Sequence, residues 1–208
     1  GSNSRGELYN ADPVTGDARF CGTTASMCGV EKAGFEGDSA AMEQAVQMDL
    51  MLHAYMFMQS GIPVLYSGDE IGQVNDYLYK EDVNKAADSR YIHRGAMNWK
   101  LAENISDLDT VEGKIFQGLN KLEHIRRTEK VFVSYADTWT VDTGDASVLC
   151  IGRHIEGETV YGIFNFSELD KTAQLHGVEG DSTDLISGEK KKLDSISIPA
   201  YGYFYLKK

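Results

Sequence analysis

"GIPVLYSGDEIGQVND", residues 61–76, decides how the chain is read. Ile62 to Ser67 is an apolar run without alternation, the pattern of a strand covered on both faces in a parallel sheet, and Pro63 is tolerated near a strand start. The run stops at Gly68-Asp69-Glu70, two adjacent acids at a strand end. Upstream, Asp38 or Ser39 caps a helix through "AAMEQAVQMDLMLHAYMFMQS" that ends near Gly61, with Glu43 close to the positive end of its dipole. The second half of that helix is apolar on nearly every face, which predicts burial between two layers. Its methionines, and His53, read as core rather than as a binding surface or a metal ligand.

Residues 69–99 form a long polar excursion, of a length that in compact domains is usually functional. Asp109 or Thr110 caps a second helix, whose Ile115, Leu119, Leu122 and Ile125 make one apolar stripe and whose end carries Arg126 and Arg127. Residues 1–37, rich in Gly, Ser, Thr, Asp and Asn, read as turn and loop with no strand–helix unit. From about Val131 the runs "SVLCIGRH", "TVYGIFNF", "TAQLHG", "TDLIS" and "ISIPAYGYFYL" alternate with turns, the signature of an antiparallel sandwich. In the last run, alternation places Tyr201, Tyr203 and Tyr205 on one face.

Composition excludes some functions. Lys+Arg 20 against Asp+Glu 32, with Lys190-Lys191-Lys192 the one short basic cluster, argues against nucleic acid and anionic membranes as partners. No apolar stretch reaches the ~18 residues of a membrane span. Cys21, Cys28 and Cys150 are an odd set without zinc spacing, which suits buried thiols in a reducing, cytoplasmic compartment. "NDYLYKEDVNK" lacks the spaced acids and central Gly of a calcium loop, so no metal site is expected.

One parallel strand cannot satisfy its own edges. A full (β/α)8 barrel takes ~250 residues, far more than precede the sandwich here. The expectation is therefore α/β plus all-β. Residues 1–128 read as an α/β part, and if their strand belongs to a barrel most of that barrel is missing; residues 129–208 read as an antiparallel β-sandwich. Such a partial barrel exposes an apolar strand edge and should associate with itself or with a missing N-terminal part.

"GIPVLYSGDEIGQVND" followed by "DVNKAADSRYIHRGAMNW" resembles the last barrel strand and loop of glycoside hydrolase family 13, the α-amylase superfamily. Within it, Gly-Asp-Glu, Asn-Asp, Asn-Lys and Asp-Ser-Arg in that order are most similar to the amylosucrase branch. "RGELYNADPVTGDARFCGTTASMCGV" resembles that branch's extra loop after strand seven. The chain departs from the family at Tyr91, where Trp is usual, at Gly95, where Pro is usual, and at Asn10, where amylosucrases carry Gln.

The resemblance implies that residues 1–128 are the last portion of a catalytic (β/α)8 barrel (helix 7, strand 8, helix 8) and residues 129–208 its C-terminal β-sandwich domain, in a retaining enzyme that cleaves sucrose or another α-glucoside and passes the glucosyl unit to water, a glucan or another acceptor, without a cofactor. It also implies that the chemistry lies elsewhere. Retaining glycosidases hold two carboxylates ~5 Å apart, and neighbours on a strand, as Asp69 and Glu70 would be, point to opposite faces. The family's nucleophile, acid/base and third Asp match no position in this chain, so no catalytic residue is expected in it. Asp69 and Glu70 should instead bind backbone N–H groups. Arg90 matches the arginine that closes the floor of the glucosyl subsite by pairing with an acid from an early barrel loop. Arg19 matches one lining the neighbouring subsite, with Asn10 near it. The rival reading is a non-catalytic carbohydrate-binding or assembly module built on the sandwich.

Overall fold

The computed structural model describes residues 3–208, and it finds regular elements where the sequence reads as loop. Strands β1 (Glu7–Tyr9) and β2 (Arg19–Cys21) form an antiparallel hairpin, followed by the short helices α1 (Thr24–Cys28) and α2 (Val30–Glu36). Local pattern does not produce these elements; contacts with distant residues do. The amide of buried Asn75 donates to the Arg5 carbonyl, and its Oδ1 accepts from Thr23 N–H at 2.9 Å. Asn75 N–H in turn donates to Ser26 Oγ at 2.9 Å. One side chain 50 residues away thus fixes the start of α1.

The two long helices follow the sequence. Helix α3 (Ser39–Met58) is capped by Asp38, whose carboxylate accepts from Ala41 N–H at 3.0 Å. A single turn, α4 (Trp99–Ala102), precedes α5 (Val111–Thr128), which Thr110 caps through Gly113 N–H at 3.1 Å. Ile115, Leu119, Leu122 and Ile125 of α5 are all buried, as their spacing predicts, and so are His53 and the second-half apolar residues Met51, Ala54, Phe57 and Met58 of α3. Among the described residues no helix is long and apolar enough to cross a membrane.

The remaining strands are β3 (Asp137–Val141), β4 (Val148–Ile155), β5 (Glu158–Asn165), β6 (Lys171–Ala173), β7 (Asp181–Asp184), β8 (Lys190–Lys192), β9 (Ile196–Ile198) and β10 (Tyr203–Lys207). Six form an antiparallel sheet in the order β3-β4-β5-β10-β7-β8, and β6 pairs with β9. Val148, Cys150, Tyr161, Ile163 and Leu206 of the large sheet share one core with Ala173, Ile196 and Ile198 of the small one, which makes the expected sandwich. Tyr201 departs from expectation. It adopts φ 52 in the turn before β10, so only Tyr203 and Tyr205 alternate along the strand.

The chain divides into two compact units, Gly1–Asp49 with Leu65–Gln117, and Leu50–Val64 with Gly118–Lys208. In the second unit the end of α3 is held by arginines. Arg153, fully buried on β4, donates to the carbonyls of Met58 (3.1 Å), Val131 (2.7 Å) and Val133 (2.9 Å) and to Ser60 Oγ (3.1 Å). Arg126 donates to the carbonyls of Phe57, Gln59 and Gly61. On the same face of the sheet the buried Tyr205 hydroxyl donates to the Ala54 carbonyl at 2.6 Å, and Met58 packs so closely on Gly162 that a Cβ there would lie 2.8 Å from its Cγ.

Ile62 to Ser67, expected as a covered strand, pairs with no strand among the described residues. Ile62 is 91% and Val64 75% exposed. The reason is the one that made the sequence reading incomplete: a parallel strand needs neighbours, and the described residues supply none. Replacing Arg153 by Met should lower the unfolding free energy by about 3 kcal/mol, because several buried acceptors lose their donor; urea titration showing a loss below about 1 kcal/mol would contradict this. Sedimentation velocity of the chain should show self-association that Val64→Lys suppresses, since a charge on an open apolar segment blocks edge-to-edge contact. A monodisperse wild-type monomer would count against it.

Candidate functional site

Ile92 anchors the site. It is wholly buried with Cys21 and Tyr79, and its carbonyl accepts from Asp76 N–H at 2.8 Å, which fixes the 3-10 helix Ser89–His93 in the first unit. Ser89 Oγ donates to the Leu8 carbonyl at 2.9 Å, docking that helix on the β1–β2 hairpin. Asp88 caps the helix through Arg90 N–H and also grips the Arg90 guanidinium from two sides, Nε to Oδ1 at 2.9 Å and Nη2 to Oδ2 at 2.7 Å. The guanidinium lies over the Tyr9 ring, Cζ 4.5 Å from its centroid, in a cation–π stack.

Among the described residues the acid on Arg90 is Asp88, two residues earlier. Asp88 uses Nε and Nη2 and leaves Nη1 for a further acceptor. Hydrogen bonding from Arg90 holds the Asp88 carboxyl at about 2, and the pair with Asp88 raises Arg90 further above its ordinary value.

Tyr9 and Arg19 are cross-strand partners in the hairpin and so share its face. The loop between them closes on Asp12, whose Oδ1 accepts from Val14 N–H at 2.7 Å and Thr15 N–H at 3.0 Å. The N–H groups of Thr15 and Val14 hold that carboxyl below the usual range. Asn10 begins the loop at φ 54, a left-handed conformation that Asn tolerates better than most non-glycine residues. Asn10 and Arg19 line one polar cavity of about 390 Å³ with Asp12, Thr15 and Asp17. The structure thus brings together Arg90, Arg19 and Asn10 on one hairpin and its docked helix.

Tyr9 was absent from the sequence reading. Its signal was the alternation of Glu7 and Tyr9 on a face that also carries Arg19, which is visible only once the hairpin register is known. On the same face the Glu7 carboxylate accepts from the Tyr79 hydroxyl and pairs with Lys80. Burial would raise the Glu7 carboxyl, but Lys80 and Tyr79 outweigh it and hold it low; burial and Glu7 push Tyr79 up to about 12. Nearby, His93 meets the Tyr66 ring edge-on at 5.6 Å and is pulled below its ordinary value by burial and by Arg94.

Asp69 and Glu70 do bind backbone. Asp69 Oδ2 accepts from Tyr66 N–H at 3.3 Å and Glu70 Oε2 from Gly68 N–H at 2.8 Å, around a 3-10 turn rather than a strand. Among the described residues no group of three or more His, Cys, Asp or Glu is placed to hold a metal ion.

Asp88 links the site to pH. Its folded value lies below the unfolded value of about 3.9, so its contribution is present above that value and fades as pH falls through about 2. The Arg90 Nε–H resonance should stay protected from pH 7 down to about 4 and lose protection toward about 2; Asp88→Asn should lose it throughout. A resonance equally protected in the variant would refute the pairing.

No family model matches the sequence. Glucosylglycerate phosphorylase of Escherichia coli (strain K12) is 28% identical over 140 residues, 66% of this chain and 24% of that protein. Among solved structures, trehalose-6-phosphate hydrolase of Bacillus licheniformis aligns with TM-score 0.63 and 17% identity over 89% of this chain and 42% of its own. Trehalulose synthase of Pseudomonas mesoacidophila MX-45 aligns with TM-score 0.59 and 17% identity over 78% and 38%. The chain therefore spans about a quarter of the curated relative and about two fifths of the solved ones. Its fold is that of the C-terminal part of these enzymes, which agrees at the level of the family with the resemblance read from the sequence.

Proposed function

We propose that this chain is the C-terminal part of a retaining α-glucoside-active enzyme of glycoside hydrolase family 13, amylosucrase-like in cleaving sucrose or a related α-glucoside. The observation that carries the reading is the convergence of Arg90, Arg19 and Asn10, the three residues matched to sugar subsites, on one hairpin and its docked helix. The unpaired apolar run at 62–66 supports the partial barrel. On this reading residues 1–128 close a catalytic barrel and residues 129–208 are its sandwich domain. The intact enzyme is cytoplasmic, in keeping with three buried free cysteines.

In the intact enzyme a carboxylate attacks the anomeric carbon while a carboxylic acid protonates the departing oxygen. An acceptor then displaces the enzyme from the glucosyl unit with the acid acting as base. This chain holds the sugar. Asp88 and Tyr9 fix the Arg90 plane, and its free Nη1 faces an acceptor, a carboxylate or sugar hydroxyl at the closed end of the glucosyl subsite. Arg19 and Asn10 serve the neighbouring subsite, where the leaving group departs and a glucan or other acceptor enters. The relative named glucosylglycerate phosphorylase favours a second reading in which that acceptor is phosphate.

Pure 208-residue protein should turn over neither sucrose nor maltose, and measurable turnover would refute the assignment of the carboxylates to a missing part. In a longer chain that carries them, Arg90→Lys should lower kcat/KM by about 10- to 100-fold, the loss of a charged hydrogen bond, without lowering the thermal midpoint. Unchanged kinetics would remove Arg90 from the site. Incubation with phosphate and detection of glucose 1-phosphate separates the second reading from the first.

A further inference from the structure

Strand β3 is an edge of the six-stranded sheet, and Trp139 stands at its centre. Across the ladder from it lie Gly152 on β4 and then Tyr161 on β5. A Cβ on Gly152 would overlap the Trp139 indole, so the ring fills the space that the absent side chain leaves. It also meets the Tyr161 ring edge-on, centroids 6.2 Å apart and planes at 89°. Gly152 and Tyr161 thus seat the indole on the sheet. Even so, Trp139 is 38% exposed, and its Nε1–H has no acceptor among the described residues. Alternation puts Asp137, His154 and Thr159 on the same face, in the next row, each paired with its neighbour across the ladder. His154 Nδ1 lies 2.8 Å from Thr159 Oγ1, which orients the imidazole, and all three side chains are at least partly open to solvent. Two residues along a strand separate the rows by about 6.8 Å.

We propose that Trp139 and the Asp137–His154–Thr159 row bind one pyranose unit of a glucan on the sandwich. A pyranose carries C–H groups on its ring face, which suit an aromatic surface, and hydroxyls at its rim that both donate and accept. The indole supplies the surface and, through Nε1–H, one donor. The next row supplies a carboxylate acceptor, an imidazole and a hydroxyl within reach of the rim of the same ring. An aliphatic ligand would use the indole and leave that row idle. The site shares no residue with Arg90, Arg19 and Asn10, and only the choice of an α-linked glucan rests on the proposed function.

The test is an NMR titration of the 208-residue chain with maltotriose, and with sorbitol as a polyol that has the hydroxyls without the ring. The Trp139 indole Nε1–H signal, identified by its loss in Trp139→Ala, should shift saturably with maltotriose, half-complete below about 10 mM. The amides of Gly152, His154 and Thr159 should shift with it, and sorbitol should give no saturable shift. Trp139→Ala should abolish the maltotriose shifts at His154 and Thr159. His154→Ala keeps the test open if Trp139→Ala loosens the core: it should weaken binding at least threefold while the Trp139 signal stays in place. No saturation, equal shifts with sorbitol, or binding unchanged in His154→Ala would each overturn the proposal. Saturable shifts confined to Tyr9, Arg19 and Arg90 would also overturn it, and would leave the Arg90 reading standing.

Discussion

A buried guanidinium organises the second compact unit. Arg153 lies over the Phe132 ring and reaches the last residues of α3 and the segment before β3, and its hydrogen-bond acceptors are carbonyl and hydroxyl oxygens. Burial, then the nearby Arg126 charge, lowers its proton affinity, yet the ordinary value of an arginine is so high that it remains charged. A helix C-terminus supplies what it needs. The unsatisfied carbonyls of the last turn carry partial negative charge, and two planar, multi-donor cations satisfy several of them at once. The chain leaves α3 at Ser60–Gly61 in a direction set by these bonds and enters the apolar run from there.

That run shows how a strand depends on its neighbours. Residues 62–67 have the composition of a doubly covered parallel strand, yet composition gives only the tendency. The ladder has to come from other strands, and with none present Ile62 and Val64 stand open to solvent. The β1–β2 hairpin and the 3-10 helix docked on it are held together by Asn75, Ile92 and Asp88.

Asp88 and Tyr9 together set the orientation of Arg90. Arg90 would be a mobile surface cation without Asp88 and Tyr9. With them, two of its nitrogens are fixed and its plane is set against an aromatic face, so an incoming acceptor meets an oriented donor at little further entropic cost. Asp88 does this because it also caps the helix that bears Arg90. One carboxylate therefore couples backbone geometry to side-chain orientation.

Local chemistry was enough to define the two long helices and the sandwich: a cap at Asp38 or Ser39 and at Asp109 or Thr110, the 3–4 spacing of Ile115 to Ile125, and the alternating short strands after Val131. Those signals involve residues close in sequence, where backbone hydrogen bonding and side-chain period act directly. Motif resemblance brought Arg90, Arg19 and Asn10 forward. Tertiary structure alone decided that residues 7–21 form a hairpin, that Tyr9 lies beneath Arg90, that Arg153 is buried, and that Tyr201 turns out of the last strand. Each of these rests on register or on partners far along the chain, such as Asn75 for the α1 start and Ala54 for Tyr205, and no window of neighbouring residues contains that information.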